Sequence, residues 1–441
     1  MGDPGSGADP WETLRTLAAG AEIGLTKKDG THVRGTLVPS HELSGERVVQ
    51  IKLASGYNVG VRVAIDDRVE VFNNPPTPPA AHPGEERSRA QEASAPPDAV
   101  ALLTTGGTIA SRVDYRTGGV RPVKDESEIL RFYPDLARDG PVRVIPVFDR
   151  LSEEIVPADW LELADRVAES FREGARGVVV AHGTDTLAHT ASALSFALPR
   201  LPGPVVVVGA QRSPDRPSSD GHSNLLAAAQ VARFSDLGEV VVVMHEGLSD
   251  DSFAIHRATR VRKMHSSRRD AFQSRGSPPL GTVTGGQVRL TSPVRGRQPG
   301  SVAVDRRIDL NGGLLWVYPG LTPDRALRFV EGLRGVVLAG TGLGHVSTAH
   351  LPWIRRAVAD GKFVGMTTQC LAGSSDPYVY STGRELLRSG VTYLGDLLPE
   401  TGYVKLLFAL GRSTTPDGVA REMRADWAGE TEPRRMVENA P

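Results

Sequence analysis

The chain has 441 residues, 39% hydrophobic and 23% charged, an ordinary globular balance over a length that calls for more than one domain at ~150 residues each. Its net charge of −1 excludes a protein whose main business is coating nucleic acid, while leaving room for a local basic face. The single cysteine, Cys370, excludes an intrachain disulfide or thiolate metal site and points to a reducing compartment.

No stretch approaches the ~18 uninterrupted apolar residues of a membrane span. The opening MGDPGSGADPWETL lacks the basic-then-apolar run of a secretory signal. A cytoplasmic protein without membrane contact is expected. Residues 1–72 contain short alternating runs at 21–26, 32–39, 47–53, 58–63 and 68–72, broken by turns such as Lys28-Asp29-Gly30 and Ser44-Gly45. They predict a small antiparallel barrel of SH3 or Sm shape. It holds no cluster of nucleophile and base, so its role is recognition.

Residues 73–98 carry seven prolines among charged and small residues. Such a segment buries too little apolar surface to offset chain entropy and is expected to be an extended, mobile tether. From residue 99 the texture changes to β-branched runs at 99–104, 142–147, 177–181, 204–208 and 239–244, separated by helical stretches at 160–173, 187–198 and 223–234. Runs of this kind are strands covered on both faces. They predict a parallel α/β domain over 99–312, with ligands at the carboxyl ends of the strands. Its last part, 285–311, reads as an inter-domain connection. A smaller α/β domain follows over 313–428, with strands at 314–318, 335–339 and 363–367 and helices at 324–333 and 351–359. Residues 429–441 are expected to be a disordered tail.

Two threonine-rich turns follow predicted strands. In the first, the strand ends at Thr104-Thr105, and Gly106-Gly107 lets the backbone turn tightly. In the second, the strand at 177–181 runs into His182-Gly183-Thr184-Asp185-Thr186 ahead of a helix. A hydroxyl and a carboxylate there stand at a helix N-terminus, whose free N–H groups suit a carboxylate or a developing oxyanion. Taken singly, each motif has an ordinary explanation as an N-cap or a glycine turn. Together, TGGTIA at 105–110 and HGTDT at 182–186 resemble the signatures of the bacterial-type L-asparaginases.

The resemblance extends further. GAQRSPDRPSSDGHSNLLAAA at 209–229, SDDSFAIHRATRVRKMHSSRRDAF at 249–272, GTGLGHV at 340–346, VGMTTQC at 364–370, YSTGRELL at 380–387 and LLPETGYVKLL at 397–407 look like the D subunits of archaeal-type glutamyl-tRNA(Gln) amidotransferases. The first domain, with LASGYNVG at 53–60, is similar to that family too, and simple asparaginases lack it. The resemblance implies a two-domain asparaginase-like α/β core behind the barrel, with Thr105 as nucleophile and Tyr115 assisting its deprotonation. It implies a second group of Thr184, Asp185 and Lys263. Substrate binding falls to Ser152 and Glu153, with Asp185 helping to hold the ammonium. A threonine hydroxyl needs a neighbouring base, and a lysine with a lowered pKa can be one. Which threonine attacks first stays open at this point, with Thr105 preferred.

The resemblance also implies partners: an E subunit that carries ATP and Mg, Glu-tRNA(Gln) bound mainly through that subunit, glutamine as small-molecule substrate, and a homodimer through the core giving an α2β2 assembly. The chain has no GxxxxGK[ST] phosphate loop, so any ATP-dependent step belongs to another chain. No metal site is expected: His245, His256 and His265 lack ligand spacing and read as core or surface residues. Gly340-Thr341-Gly342-Leu343-Gly344 reads as a strand-end turn, not a dinucleotide site. Arg260, Arg262, Arg268 and Arg269 read as a solvated or partner-binding face, and Cys370 as a buried apolar residue. The run 371–378 departs from the family pattern. A free-standing asparaginase or glutaminase is the rival reading, and a non-catalytic scaffold the third.

Overall fold

The computed structural model describes residues 9–18, 20–38, 47–53, 58–73, 98–106, 111–113, 120–122, 133–212 and 219–432. Residues 74–97 of the tether expected at 73–98, Tyr115 and residues 433–441 lie outside them. The chain begins with α1 (Pro10–Thr16), whose entry is capped by Asp9 accepting from Trp11 N at 3.0 Å. Five strands follow: β1 (Glu22–Thr26), β2 (His32–Val38), β3 (Val48–Leu53), β4 (Asn58–Arg62) and β5 (Arg68–Asn73). They form an antiparallel sheet of order β4-β3-β2-β1-β5. Ile23, Leu25, Leu37, Val49 and Ile51 alternate onto one face, and Leu14 of α1 closes over them. The sequence reading missed α1, because seven residues are too short for helical periodicity to show.

The core opens with β6 (Val100–Thr104), a two-stranded ribbon of β7 (Ser111–Val113) and β8 (Val120–Pro122), and β9 (Val142–Pro146). Then come α2 (Pro157–Arg172), β10 (Gly177–Ala181), α3 (Leu187–Ala197), β11 (Val205–Val208), α4 (Gly221–Phe234) and β12 (Val240–His245). The chain continues through β13 (Ser252–Arg257), β14 (Val261–Lys263), β15 (Phe272–Ser274), β16 (Gly281–Thr284) and β17 (Gln287–Leu290). The large sheet has the order β17-β16-β13-β12-β11-β10-β6-β9. Its half from β12 to β9 is parallel, as expected from valine runs buried on both faces.

The other half corrects the expectation of a parallel sheet. β13, β16 and β17 extend it antiparallel, and β17 lies within the segment read as a connection. The strand order places β9 on one side of β6 and β10 on the other. The connections therefore diverge between β6 and β10, and such a switch point opens a crevice at the carboxyl ends of the strands.

The second domain contains β18 (Gly312–Trp316), α5 (Pro323–Val330), β19 (Gly335–Gly340), α6 (Leu351–Ala359), β20 (Phe363–Thr368), α7 (Ser381–Arg388), β21 (Thr392–Tyr393), α8 (Pro399–Arg412) and α9 (Pro416–Arg424). Its strands form a parallel sheet in sequence order. Helix α8 joins the two domains through opposite faces. Val404, Leu407 and Phe408 pack in the first domain's core, and Leu406, Ala409 and Leu410 in the second's. One boundary differs from the sequence reading. Gly429 and Glu430, assigned there to the tail, are part of the packed body, and Glu430 is fully buried against Lys405.

Candidate active site

The crevice is built from the ends of β6 and β10, which pair so that Thr104 stands opposite Ala181. Thr105, the next residue after β6, is buried. Its backbone N–H and its hydroxyl both donate to the Ala181 carbonyl, at 3.2 and 3.1 Å. Gly106 then turns with φ of 92°, and a Cβ there would lie 2.7 Å from the backbone N and O of Arg150. Only glycine allows the turn to press so closely against the 149–152 loop.

That loop holds Ser152, which is also buried. Its carbonyl accepts from the Thr186 hydroxyl at 2.6 Å, and a Cβ on Gly183 would come within 2.8 Å of the Ser152 Cβ. The two loops are therefore clamped together. Glu153, the next residue, is exposed.

After β10 the chain presents Thr184 and Asp185 just ahead of α3. Lys263, the last residue of β14, reaches Thr184 from 79 residues away in sequence. Its ammonium donates to the Thr184 hydroxyl at 2.8 Å and to Asp185 Oδ1 at 2.7 Å. The lysine side chain is 15% exposed and the aspartate 65%, so the amine is largely buried while the aspartate side chain is open to solvent. A hydroxyl, a carboxylate and an amine in mutual contact can pass a proton and neutralise charge that develops on a bound amide.

His182, beneath this group, donates through Nδ1 to the Gly183 carbonyl at 2.6 Å. Burial lowers its pKa to about 4, so the ring is neutral at physiological pH and stiffens the loop without titrating there.

Of the residues singled out by sequence, the structure brings Thr184, Asp185 and Lys263 into contact. It places Thr105 one strand away and Ser152 in the adjoining loop. Tyr115 lies outside the described residues. The basic run around Lys263 requires a correction, because Arg260 is fully buried and ion-paired to Asp396 at 2.8 Å rather than solvated. Arg262 pairs with Glu400 at 2.9 Å and lies 5.8 Å from the Trp316 ring. Arg268 pairs with Asp270, and Arg269 with Asp250. Cys370 is exposed, contrary to the reading as a core residue. His245 and His256 are buried in the sheet and His265 is exposed. Gly340 ends β19 and leads into the turn bridged by Thr341 and His345. Among the described residues, no group of three His, Cys, Asp or Glu could hold a metal ion, and no helix is long and apolar enough to cross a membrane.

A supporting network was not anticipated. Asp220, fully buried, accepts from the backbone N–H groups of Gln211 and Arg212 at 3.1 and 2.9 Å and from Asn224 Nδ2 at 3.1 Å. Asn224 also donates to the Gly209 carbonyl at 3.0 Å. Gly209 packs under Thr184, where a Cβ would meet the threonine methyl at 2.8 Å. The run 209–229 that holds Gly209, Asp220 and Asn224 carried the family resemblance, but it gave these residues no role, and an Asp just before a helix reads by itself as a cap.

Fold and crevice together define an amidohydrolase core of the asparaginase class. Residues 99–295 match the family described as Asparaginase, N-terminal, and residues 313–423 match the Glutaminase/Asparaginase C-terminal domain. The thermostable L-asparaginase of Thermococcus kodakarensis aligns with a TM-score of 0.70 and 33% identity, over 76% of this chain and 99% of that one. L-asparaginase I of Vibrio cholerae aligns with a TM-score of 0.67 and 28% identity, over 76% of this chain and 100% of that one.

The first domain carries the assignment further, since residues 17–72 match the GatD N-terminal domain. The D subunit of glutamyl-tRNA(Gln) amidotransferase from Saccharolobus islandicus is 42% identical, over 94% of this chain and 93% of that protein. Its counterpart of the same name from Metallosphaera sedula is 43% identical, over 98% of this chain and 97% of that protein. The chain belongs to the family of glutamyl-tRNA(Gln) amidotransferase D subunits.

Proposed function

We propose that this chain is the glutaminase subunit of a tRNA-dependent amidotransferase. It hydrolyses glutamine to glutamate and ammonia, and the ammonia converts Glu-tRNA(Gln) to Gln-tRNA(Gln) on a partner. The observation that carries this reading is the contact of Lys263 with Thr184 and Asp185 at the mouth of the crevice where Thr105 lies. The extra first domain, which the D-subunit relatives share, favours the amidotransferase role over a free-standing asparaginase or glutaminase.

In the first half-reaction, the Thr105 hydroxyl oxygen attacks the side-chain amide carbon and its proton passes to the departing nitrogen, with Tyr115 assisting. Ammonia leaves and an ester remains on the threonine. In the second, Lys263 and Asp185 orient a water through Thr184. Water adds to the ester carbon, the threonine regains its proton, and glutamate departs. Backbone N–H groups at the start of α3 stabilise the oxyanion in both halves. Ser152, Glu153 and Asp185 hold the substrate's α-carboxylate and α-ammonium.

A second reading, in which Thr184 attacks first, is favoured by one observation: Thr184 has Lys263 at 2.8 Å, whereas the Thr105 hydroxyl is bonded to a carbonyl. Mass mapping after labelling with a diazoketone analogue of glutamine separates the two. A label on Thr105 that persists in Thr184→Ala supports Thr105 as nucleophile, and a label on Thr184 overturns it.

The partners follow from the same reading. An E subunit holds ATP and Mg and most of the contact with Glu-tRNA(Gln), two copies of this chain pair through their cores, and the assembly is an α2β2 heterotetramer in the cytoplasm. The test is ammonia release from glutamine and asparagine, by the chain alone and with the E subunit, Glu-tRNA(Gln) and ATP.

A further inference from the structure

Lys263 acts only if the short strand that carries it is held in place; β14 pairs with β15 along Val261–Lys263, and the segment leading into it is held further by contacts from the far end of the chain. Residues 427–432 lie across the segment just before β14. The Thr259 hydroxyl, fully buried, donates to the Ala428 carbonyl at 3.1 Å. The Arg260 guanidinium, also fully buried, donates through Nε to the Gly429 carbonyl at 3.1 Å and through Nη1 to Asp396 Oδ2 at 2.8 Å. The other oxygen of Asp396 accepts from the backbone N–H of Glu432 at 3.2 Å. On the opposite side, the Thr259 carbonyl accepts from the Thr401 hydroxyl of α8 at 3.1 Å.

The terminal segment is itself pinned. Glu430 pairs with Lys405 at 2.7 Å, both side chains fully buried. The Trp427 carbonyl accepts from Arg295, and the Trp427 ring lies 3.6 Å under the Arg412 guanidinium and edge-on to Phe196 at 5.4 Å.

We propose that residues 427–432 are a positioning strap for Lys263, with Thr259 and Arg260 as the positioning residues through which it acts. The inference rests on the amidohydrolase reading of Lys263. Neither residue touches the crevice group directly. Thr259 is four residues from Lys263 and Arg260 three, so a shift at either anchor is carried along a backbone spanning roughly 3.3–3.6 Å per residue. A ~1 Å misplacement far from the chemistry can lower a rate ~10²-fold. The second domain and the terminal segment thereby set the geometry of a site whose other groups belong to the first domain.

The test uses the full-length chain and steady-state hydrolysis of glutamine. Thr259→Val removes one hydroxyl without changing side-chain shape, and Thr259→Ser keeps it. Arg260→Met and Arg260→Lys form the second pair, and near-UV circular dichroism confirms that each variant is folded. The strap predicts that Thr259→Val lowers kcat by roughly 10-fold or more while KM moves less than about 3-fold, and that Thr259→Ser restores most of it. Arg260→Met falls further, and Arg260→Lys recovers part of the loss.

Unchanged kcat in folded Thr259→Val and Arg260→Met overturns the proposal. So does a loss that Thr259→Ser fails to repair, or one that falls on KM instead. Lys263→Ala, run alongside, keeps the two claims apart. If it retains activity, the amidohydrolase reading of Lys263 fails. If it is inactive while the strap variants keep full kcat, only the strap fails.

Discussion

Replacing Lys405 by methionine keeps the length and apolar stem of the side chain but removes its cation. In the native chain the ammonium donates to Glu430 at 2.7 Å, to the Met423 carbonyl at 3.0 Å and to the Ala425 carbonyl. Glu430 also accepts from the backbone N–H groups of Trp427 and Ala428 at 2.9 and 2.6 Å. Burial alone would raise the Glu430 pKa, but Lys405 and these two donors outweigh it and hold it below the usual glutamate range. The carboxylate is therefore ionised, and in Lys405→Met it is stranded without its counter-charge.

Breaking one side of a buried pair costs about 3–5 kcal/mol. Adding Glu430→Gln removes the stranded charge while leaving an oxygen to accept the two N–H groups, and should recover about 2 kcal/mol of that loss. The assay is urea unfolding followed by tryptophan fluorescence, which Trp427 reports directly because Lys405 lies 4.9 Å from its ring. A cost under about 1 kcal/mol for Lys405→Met, or effects of the two substitutions that add within about 0.5 kcal/mol, would refute the reasoning.

Three further outcomes are expected. Lys263→Ala should lower kcat for ammonia release by about 10²–10⁴-fold, the range for removing a positioned proton-transfer group, with an unchanged far-UV spectrum. Gly106→Ala forces a Cβ into the Arg150 backbone at a φ of 92°; it should cost about 1–3 kcal/mol of stability, measured by denaturant midpoint, and reduce turnover because Thr105 is its neighbour. His182 and His256 are buried with pKa values lowered by burial to about 4 from 6.5. The unfolded chain therefore binds more protons between these values, and stability falls as pH drops through that window. The loss should be about 2 kcal/mol per histidine between roughly pH 7 and pH 5, and a flat unfolding free energy over that range contradicts it.

What the sequence made legible were features whose physics is local. Val178, Val179 and Val180 are apolar on both faces of a strand and read as a covered parallel strand, which β10 is. The Thr184-Asp185 turn was legible because it joins such a strand to a helix. The antiparallel half of the large sheet was not, since β16 and β17 are four residues each and their partners declare themselves only by pairing. Arg260 read as a solvated residue in a basic run. What buries it is Asp396 and the Gly429 carbonyl, 136 and 169 residues away. Glu430 sits in a polar, featureless terminus and is drawn inside by one lysine on α8. Cys370 is apolar by type, but it follows the end of β20 and the turn carries it to the surface. The contact between Lys263 and Thr184 spans 79 residues, and only the family resemblance pointed to both partners.

The glutaminase reading has this crevice release ammonia from glutamine for use by a partner. Ammonia should therefore be measured from glutamine and from asparagine, first with the chain alone and then with an E subunit, Glu-tRNA(Gln) and ATP. Weak release alone and a strong rise on glutamine with the full set, accompanied by Gln-tRNA(Gln), are expected. Vigorous release from asparagine by the chain alone, unmoved by partner or tRNA, would contradict it.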